Sequence, residues 1–172
     1  MEYLTTLPKD TSKAYTSIYG LEYAHPIEYY DFHVYYVGHN SQSVAEATSL
    51  RSKLLEDFEA EGKEGSIIVK KLKDDKVIGP HVTHFWEVDV VRPEIFVRLL
   101  SWFQLYHGTL SVLIHPQTGE DLLDHTSRAL WLGKPLPIIE SVFNNIGKGI
   151  PEFGVPGGKR LTTEEFEERK RK

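Results

Sequence analysis

The sequence predicts an α+β domain whose elements run β-α-β-β-α-β. Three observations carry that reading: four runs of aromatic and β-branched residues, two stretches between them with apolar residues at helical spacing, and glycine or proline at the joins. The first run, Tyr29 to Val37 (YYDFHVYYV), reads as a strand that leaves into a turn at Gly38-His39-Asn40. Ser41 or Ser43 caps the next element, where Val44, Ala47, Leu50, Leu54, Leu55 and Phe58 recur on one helical face and Gly62 supplies a stop. Ser66 to Leu72 forms a second strand, and Asp74-Asp75-Lys76 with Gly79-Pro80 forms a loop. The third strand is HFWEVDVV, closed by Arg92-Pro93. Pro93 suits the first turn of a second helix, which carries Ile95, Phe96, Leu99, Leu100, Phe103 and Leu105 and stops at Gly108. The fourth strand is TLSVLIHP. This order is the split βαβ arrangement called ferredoxin-like: an antiparallel four-stranded sheet in the spatial order four, one, three, two, with both helices on one face and the other face open.

One domain is expected, since 172 residues show no compositional break. Residues 1–28 read as an N-terminal arm, 29–147 as the domain, and 148–172 as an extension ending in a solvated, partly mobile charged tail. After Pro116, a short helical run (DLLDHTSRALWLG) and a Pro-rich exit fold back on the sheet. A net charge of −5 offers no general positive field for nucleic acid or an anionic membrane. Without cysteine, disulfides, thiolate metal sites and a thiol nucleophile are excluded, so any metal must sit on His, Asp or Glu. No secretory signal or membrane-length apolar run is present, and a cytoplasmic protein is expected. There is no G-x-S-x-G elbow, and the glycines of GKGIPEFGVPGG lack the strand–turn–helix setting of a phosphate loop.

Strand alternation sorts the side chains by face. Phe32, Val34 and Tyr36 go beneath the helices and send Asp31, His33 and Tyr35 to the open face; Leu110, Val112 and Ile114 likewise send Ser111, Leu113 and His115 there. The first and fourth strands are expected to be antiparallel neighbours, so His33 and His115 converge. In the third strand Phe85, Glu87 and Asp89 share that side, making Glu87 a possible carboxylate partner. His125 returns to the same end by a short loop, whereas His81 lies nearer the other end of the first strand unless its loop bends inward. A lone histidine on a strand is more often a hydrogen-bonded core or surface residue than a ligand. Two that converge are chemically different, because neutral imidazoles with one further His or carboxylate bind iron, zinc or copper and leave positions open. His25, His39, His84 and His107 keep the structural reading.

The strings YDFHVYY, IGPH, LSVLIHPQTGEDLLDHT and ALWLGKPLP resemble the signature segments of the DOPA 4,5-dioxygenase family of small fungal and bacterial proteins. The resemblance runs from Tyr30 to Pro137 and is most specific from Leu110 onward, where HPxTG, DHT and ALWLG follow in order. It implies a homodimeric ferredoxin-like enzyme that uses iron(II) and dioxygen for extradiol cleavage of L-DOPA or a related catechol. The product would be a seco-DOPA that cyclises to a betalain or muscaflavin precursor. The family's recurring histidines fall on His33, His81, His115 and His125. The resemblance thus implies iron(II) on His33, His115 and His125, chelating both catechol oxygens, with His81 as the acid/base beside it. Tyr35, Phe85 and Trp131 would wall the ring, and Arg128 would meet a substrate carboxylate. A rival reading is a metal-binding protein of the same fold that binds small aromatics, or hydrolyses or isomerises them, without dioxygen.

Overall fold

A computed structural model describes residues 1–7, 14–73, 76–154 and 159–171. Pro8, Asp74, Asp75 and the pair Gly157-Gly158 lie outside the described residues. The fold is α+β and is built on a six-stranded sheet. Its strands are β1 (Glu2–Tyr3), β2 (Tyr29–Tyr36), β3 (Ile67–Lys71), β4 (His84–Val90), β5 (Ser111–Gln117) and β6 (Leu130–Leu132). They lie in the order β1-β3-β4-β2-β5-β6, and every neighbouring pair is antiparallel. The sheet therefore has two strands more than expected. The N-terminal arm supplies β1, with Glu2 opposite Lys71 and Tyr3 opposite Lys70. The run expected to be only helical supplies β6, which pairs with Val112 to Ile114. Each short strand covers a ladder edge whose N–H and C=O groups would otherwise face water or another chain.

Helices α1 (Ser41–Asp57) and α3 (Pro93–Tyr106) pack on one sheet face, with the short α2 (Glu59–Glu64) continuing α1. Phe32, Val34, Trp86, Val88, Val90, Val112 and Ile114 from the strands meet Ala47, Leu50, Leu54, Ile95, Leu99 and Phe103 from the helices in one core. Burying each large apolar side chain contributes about 1.5–3 kcal/mol. The cap of α1 is Asn40, one residue ahead of the serines expected there: its Oδ1 accepts from the Ser43 N–H at 3.0 Å, while Ser43 Oγ accepts from the Val37 N–H. Gly62 does not stop the helix. A Cβ there would sit 3.0 Å from Thr5 Cγ2, so the glycine makes room for the N-terminal arm, and the stop is Gly65 at φ 79°.

The opposite face, expected to be open, is partly covered. Strands β7 (Ile150–Pro151) and β8 (Arg160–Leu161) and helix α5 (Thr163–Lys170) bring Ile150, Phe153, Leu161 and Phe166 against Tyr29, Ile68 and Val91. The stretch read as a solvated tail is thus an amphipathic closure whose one aromatic side chain is buried. Thr162 and Glu165 form a capping box that starts α5. Phe166 meets Tyr15 at a 5.3 Å centroid distance and Tyr29 at 6.1 Å. Phe166→Leu keeps most of the volume and removes these ring contacts, so it is expected to cost about 1 kcal/mol, read as a lower urea midpoint. Among the described residues no helix is long and apolar enough to cross a membrane.

Candidate metal centre

The face opposite the helices carries His33 on β2 and His115 on β5, and α4 (Asp121–His125) presents His125 to them after a short turn. One ligand atom from each of the three lies within 4.8 Å of the other two. The rings of His115 and His125 are 3.9 Å apart between centroids, and those of His33 and His115 are 5.0 Å apart with planes at 17°. Alternation brings His33 and His115 to one face, and register brings them together: Asp31 is opposite His115, and His33 is opposite Leu113, one diagonal step away. His125 is placed by its neighbour Asp124, whose fully buried carboxylate accepts from the Thr118 N–H and hydroxyl and from Arg128.

Two of the three imidazoles are oriented by hydrogen bonds at Nδ1. His115 Nδ1 donates to the Pro116 carbonyl at 3.1 Å, and His125 Nδ1 donates to the Asp121 carbonyl at 2.9 Å. His33 Nδ1 faces Glu87 Oε2 at 3.5 Å. With the proton on Nδ1, His115 and His125 each present an Nε2 lone pair, and the Nε2 atoms of His33 and His115 stand 3.0 Å apart, a hydrogen bond when His33 carries its proton on Nε2. A divalent cation between them in place of that proton would take a lone pair from each. Metal–imidazole bonds of about 2.1 Å at a right angle place their nitrogens about 3.0 Å apart, so the donor set fits a divalent first-row ion. Three neutral nitrogens suit iron, zinc or copper and leave coordination positions for other ligands.

Burial depresses all four site imidazoles. His115 is lowered to about 4 against the Pro116 carbonyl, which favours the charged form. His125 and His81 are each lowered to about 3, first by burial and then by neighbouring histidines, and His33 falls well below its ordinary value for the same reasons. The site thus holds neutral ligands at neutral pH. Asp31 and Asp89 behave oppositely: burial pushes both upward, against the pull of Lys70. Burial also disfavours the charge on Lys70, but Asp89 and Glu87 more than reverse this.

A pH dependence of stability follows. Below pH 6.5 the unfolded chain takes up protons on four imidazoles that the folded chain refuses until pH falls to about 4 for His115 and about 3 for His81 and His125. This lowers folding stability as pH falls. The raised Asp31 and Asp89 hold protons in the folded state and offset part of it, two groups against four. The urea midpoint of the metal-free chain is therefore expected to be lower at about pH 5 than at about pH 7.5.

His81 joins the cluster because its loop does bend inward. The Ile139 N–H donates to the Pro80 carbonyl at 2.8 Å, and an isolated bridge pairs His81 with Ile138, so the Pro-rich exit pulls the GPH turn over the sheet. The His81 ring comes to 4.6 Å from His33 and 4.3 Å from Phe85, and its Nδ1 pairs with the Tyr35 hydroxyl at 2.7 Å. Tyr35 stacks on Trp131 at 5.7 Å, so Tyr35, Phe85 and Trp131 do form an aromatic wall beside His81. Arg128 is not brought to that wall. Its guanidinium is committed to Thr118 Oγ1 at 2.7 Å, Asp124 Oδ1 at 2.9 Å and Glu120 Oε2 at 2.6 Å, which braces the turn before His125.

Phe143, Lys70 and Gln117 were not singled out by the sequence reading, whereas Asp31 was assigned to this face with His33. Phe143 reaches His125 from the Glu140–Asn145 3-10 turn at 5.1 Å. Lys70 bridges Glu87 and Asp89, Asp31 Oδ2 comes to 3.9 Å from His115 Nε2, and Gln117 Nε2 donates to Asp31 Oδ2 at 2.6 Å. Lys70 and Gln117 could have been found by extending the alternation, since 68/70 and 115/117 are same-face pairs.

Residues 30–142 match the Dopa 4,5-dioxygenase family. A protein of Amanita muscaria named DOPA 4,5-dioxygenase is 30% identical over 112 residues, 65% of this chain and 48% of its own length. An uncharacterised 21.2 kDa protein of Botryotinia fuckeliana is 30% identical over 116 residues, 63% of this chain and 60% of its own length. The chain thus spans 48% and 60% of the lengths of these curated relatives. A crystal structure from Nostoc punctiforme, provisionally named a dioxygenase, superposes with a TM-score of 0.60 at 27% identity, covering 72% of this chain and 97% of that one.

Proposed function

Because the chain belongs to the Dopa 4,5-dioxygenase family, we propose that it is an oxygenase, and more finely an iron(II)-dependent extradiol dioxygenase that opens the ring of L-DOPA or a related catechol. The single observation that carries the reading is the buried triad His33, His115 and His125, whose nitrogens converge within 4.8 Å beside an aromatic wall. Bound there, iron(II) would lower the pKa of the catechol hydroxyls and hold both reactants in one place.

The chain's own groups account for the rest. His115 and His125, each tied through Nδ1 to a backbone carbonyl, present Nε2 without rotating, and the Glu87 carboxylate lies 3.5 Å from His33 Nδ1. His81 carries protons beside the ring. When His81 Nδ1 donates to the Tyr35 hydroxyl, its Nε2 lone pair is free to take a proton from a substrate hydroxyl and return it to a developing anion. Phe85 is 1% exposed and Tyr35 3%, so the ring-facing wall excludes water from that proton transfer.

Anaerobic reconstitution with iron(II), followed by an oxygen electrode and visible spectra with L-DOPA, tests the reading. Oxygen consumption with a yellow ring-fission product supports it. A chain that binds iron yet leaves a panel of catechols intact, or that turns over an aromatic ester or isomer with zinc and without oxygen, overturns it.

A further inference from the structure

The three histidines of the triad are not held alike. His33 and His115 sit on β2 and β5, interior strands that are paired on both sides. His125 ends α4, whose five residues (Asp121–His125) are far fewer than the roughly 12–15 that a helix needs to persist unaided. Where His125 stands therefore depends on what fixes the two ends of that turn. The C-terminal end is braced from within. Asp124 accepts from the Thr118 N–H and hydroxyl, and Arg128 joins Thr118, Glu120 and Asp124, all of them neighbours in the chain.

The N-terminal end is held from a distant part of the chain. Arg160 on β8 pairs its guanidinium with the Asp121 carboxylate, 39 residues away, and donates from Nε to the Gly149 carbonyl at 2.9 Å. Asp121 in turn accepts, through its backbone carbonyl, the His125 Nδ1–H at 2.9 Å. One residue thus joins the clamp to the histidine. The backbones meet as well: a Cβ on Gly119, in the turn before α4, would lie 3.3 Å from the Gly149 carbonyl carbon and 3.4 Å from Ile150 Cγ1. The hairpin that carries Arg160 is itself anchored. Ile150 pairs with Leu161, both are buried with Phe153 and Phe166, and α5 adds the ion pairs Arg169–Glu152 and Lys170–Glu28. All of these hairpin and helix residues except Glu28 lie beyond residues 30–142, the stretch that matches the family.

We propose that Arg160 is a positioning residue for the metal centre: from the C-terminal hairpin it clamps Asp121, and through the Asp121 carbonyl it fixes the His125 ring. A planar guanidinium suits this task because it holds two acceptors at once in fixed directions. Here they are the Asp121 carboxylate and the Gly149 carbonyl, one on each side of the junction. The Arg160 side chain is 25% exposed, so water screens the pair and its share of overall stability is small. Its effect is local, on the one histidine of the triad that no sheet ladder holds. A segment outside the family match thereby sets the geometry of histidines inside it. The inference rests on the triad being a metal centre, and not on which reaction takes place there.

Two measurements on the full chain test the clamp. In zinc(II) titrations against a chromophoric chelator, R160A is expected to bind about tenfold more weakly, the lower end of what loss of a ligand's orienting partner costs. R160K keeps the charge but holds one acceptor instead of two, so its affinity is expected to lie between. In a D121A chain the R160A loss should vanish, as it does for two residues acting along one path. In the metal-free chain, the imidazole N–H signals read the clamp directly. R160A should speed solvent exchange of the His125 Nδ1–H and leave that of His115, tied to the Pro116 carbonyl, unchanged. If R160A does not fold, R160K carries the same comparison. A folded variant with zinc affinity and His125 exchange as in the natural chain overturns the proposal while the dioxygenase reading stands. Equal loosening of His115 and His125, the mark of general destabilisation, overturns it too. If the natural chain takes up no metal while Arg160 still protects His125, the metal reading falls and the positioning role stands.

Discussion

His115→Ala is expected to remove iron binding and ring cleavage together. His115 is fully buried, its Nε2 lies 3.0 Å from that of His33, and its ring is 3.9 Å from that of His125, so it is the member that joins the other two. Loss of a residue that merely orients a ligand costs about 10–100-fold in metal affinity; loss of the ligand itself is expected to exceed about 100-fold and to leave no measurable oxygen uptake. Iron content after gel filtration, measured beside the unfolding midpoint, checks this. A folded His115→Ala chain that retains a full equivalent of iron would remove His115 from the centre.

His81→Ala is expected to separate chemistry from metal binding. General acid–base catalysis by one positioned side chain is worth about 10²–10⁴-fold, so kcat should fall on that scale while the iron content stays unchanged. Added imidazole should restore part of the rate, because the vacated space beside Phe85 and Tyr35 is the size of the ring that left it. Iron lost in parallel with the rate would instead make His81 a ligand. Tyr35→Phe keeps the wall and removes only the hydroxyl that faces His81 Nδ1 at 2.7 Å, so its smaller effect should appear in kcat and in the rate's pH profile.

What could be read in the sequence follows the range of the rule used to read it. Period-two alternation is a local rule, and it assigns His33, Tyr35, Phe85, Glu87 and His115 to the face away from the helices, where they lie. The helices were legible because Leu50, Leu54, Leu99 and Phe103 repeat at a spacing that only one face can bury. Their ends were less so. Gly62 looked like a stop because it is a glycine, yet what it answers to is Thr5 on a distant arm, and no local pattern records that contact.

The same limit explains the inward turn of His81, which depends on a hydrogen bond between Ile139 and Pro80 across distant parts of the chain. It explains Arg128 too: a guanidinium on a short loop suited a substrate carboxylate, but Asp124 and Glu120 lie one helical turn and two turns away and claim it first. Phe166 was concealed by composition. One aromatic among eight helical residues rich in Glu, Arg and Lys reads as solvated, and the rings of Tyr15 on the N-terminal arm and Tyr29 at the start of β2 give it somewhere to pack.

The most direct test of the central claim is the fate of labelled oxygen. Iron(II)-loaded protein is supplied with L-DOPA under ¹⁸O₂ in unlabelled water, and the ring-opened product is trapped and weighed by mass spectrometry. The dioxygenase account predicts that both atoms of one dioxygen molecule enter the product, and that His115→Ala gives no labelled product. A product whose new oxygen comes from water alone, or a catechol recovered intact while the protein holds its iron, would contradict it.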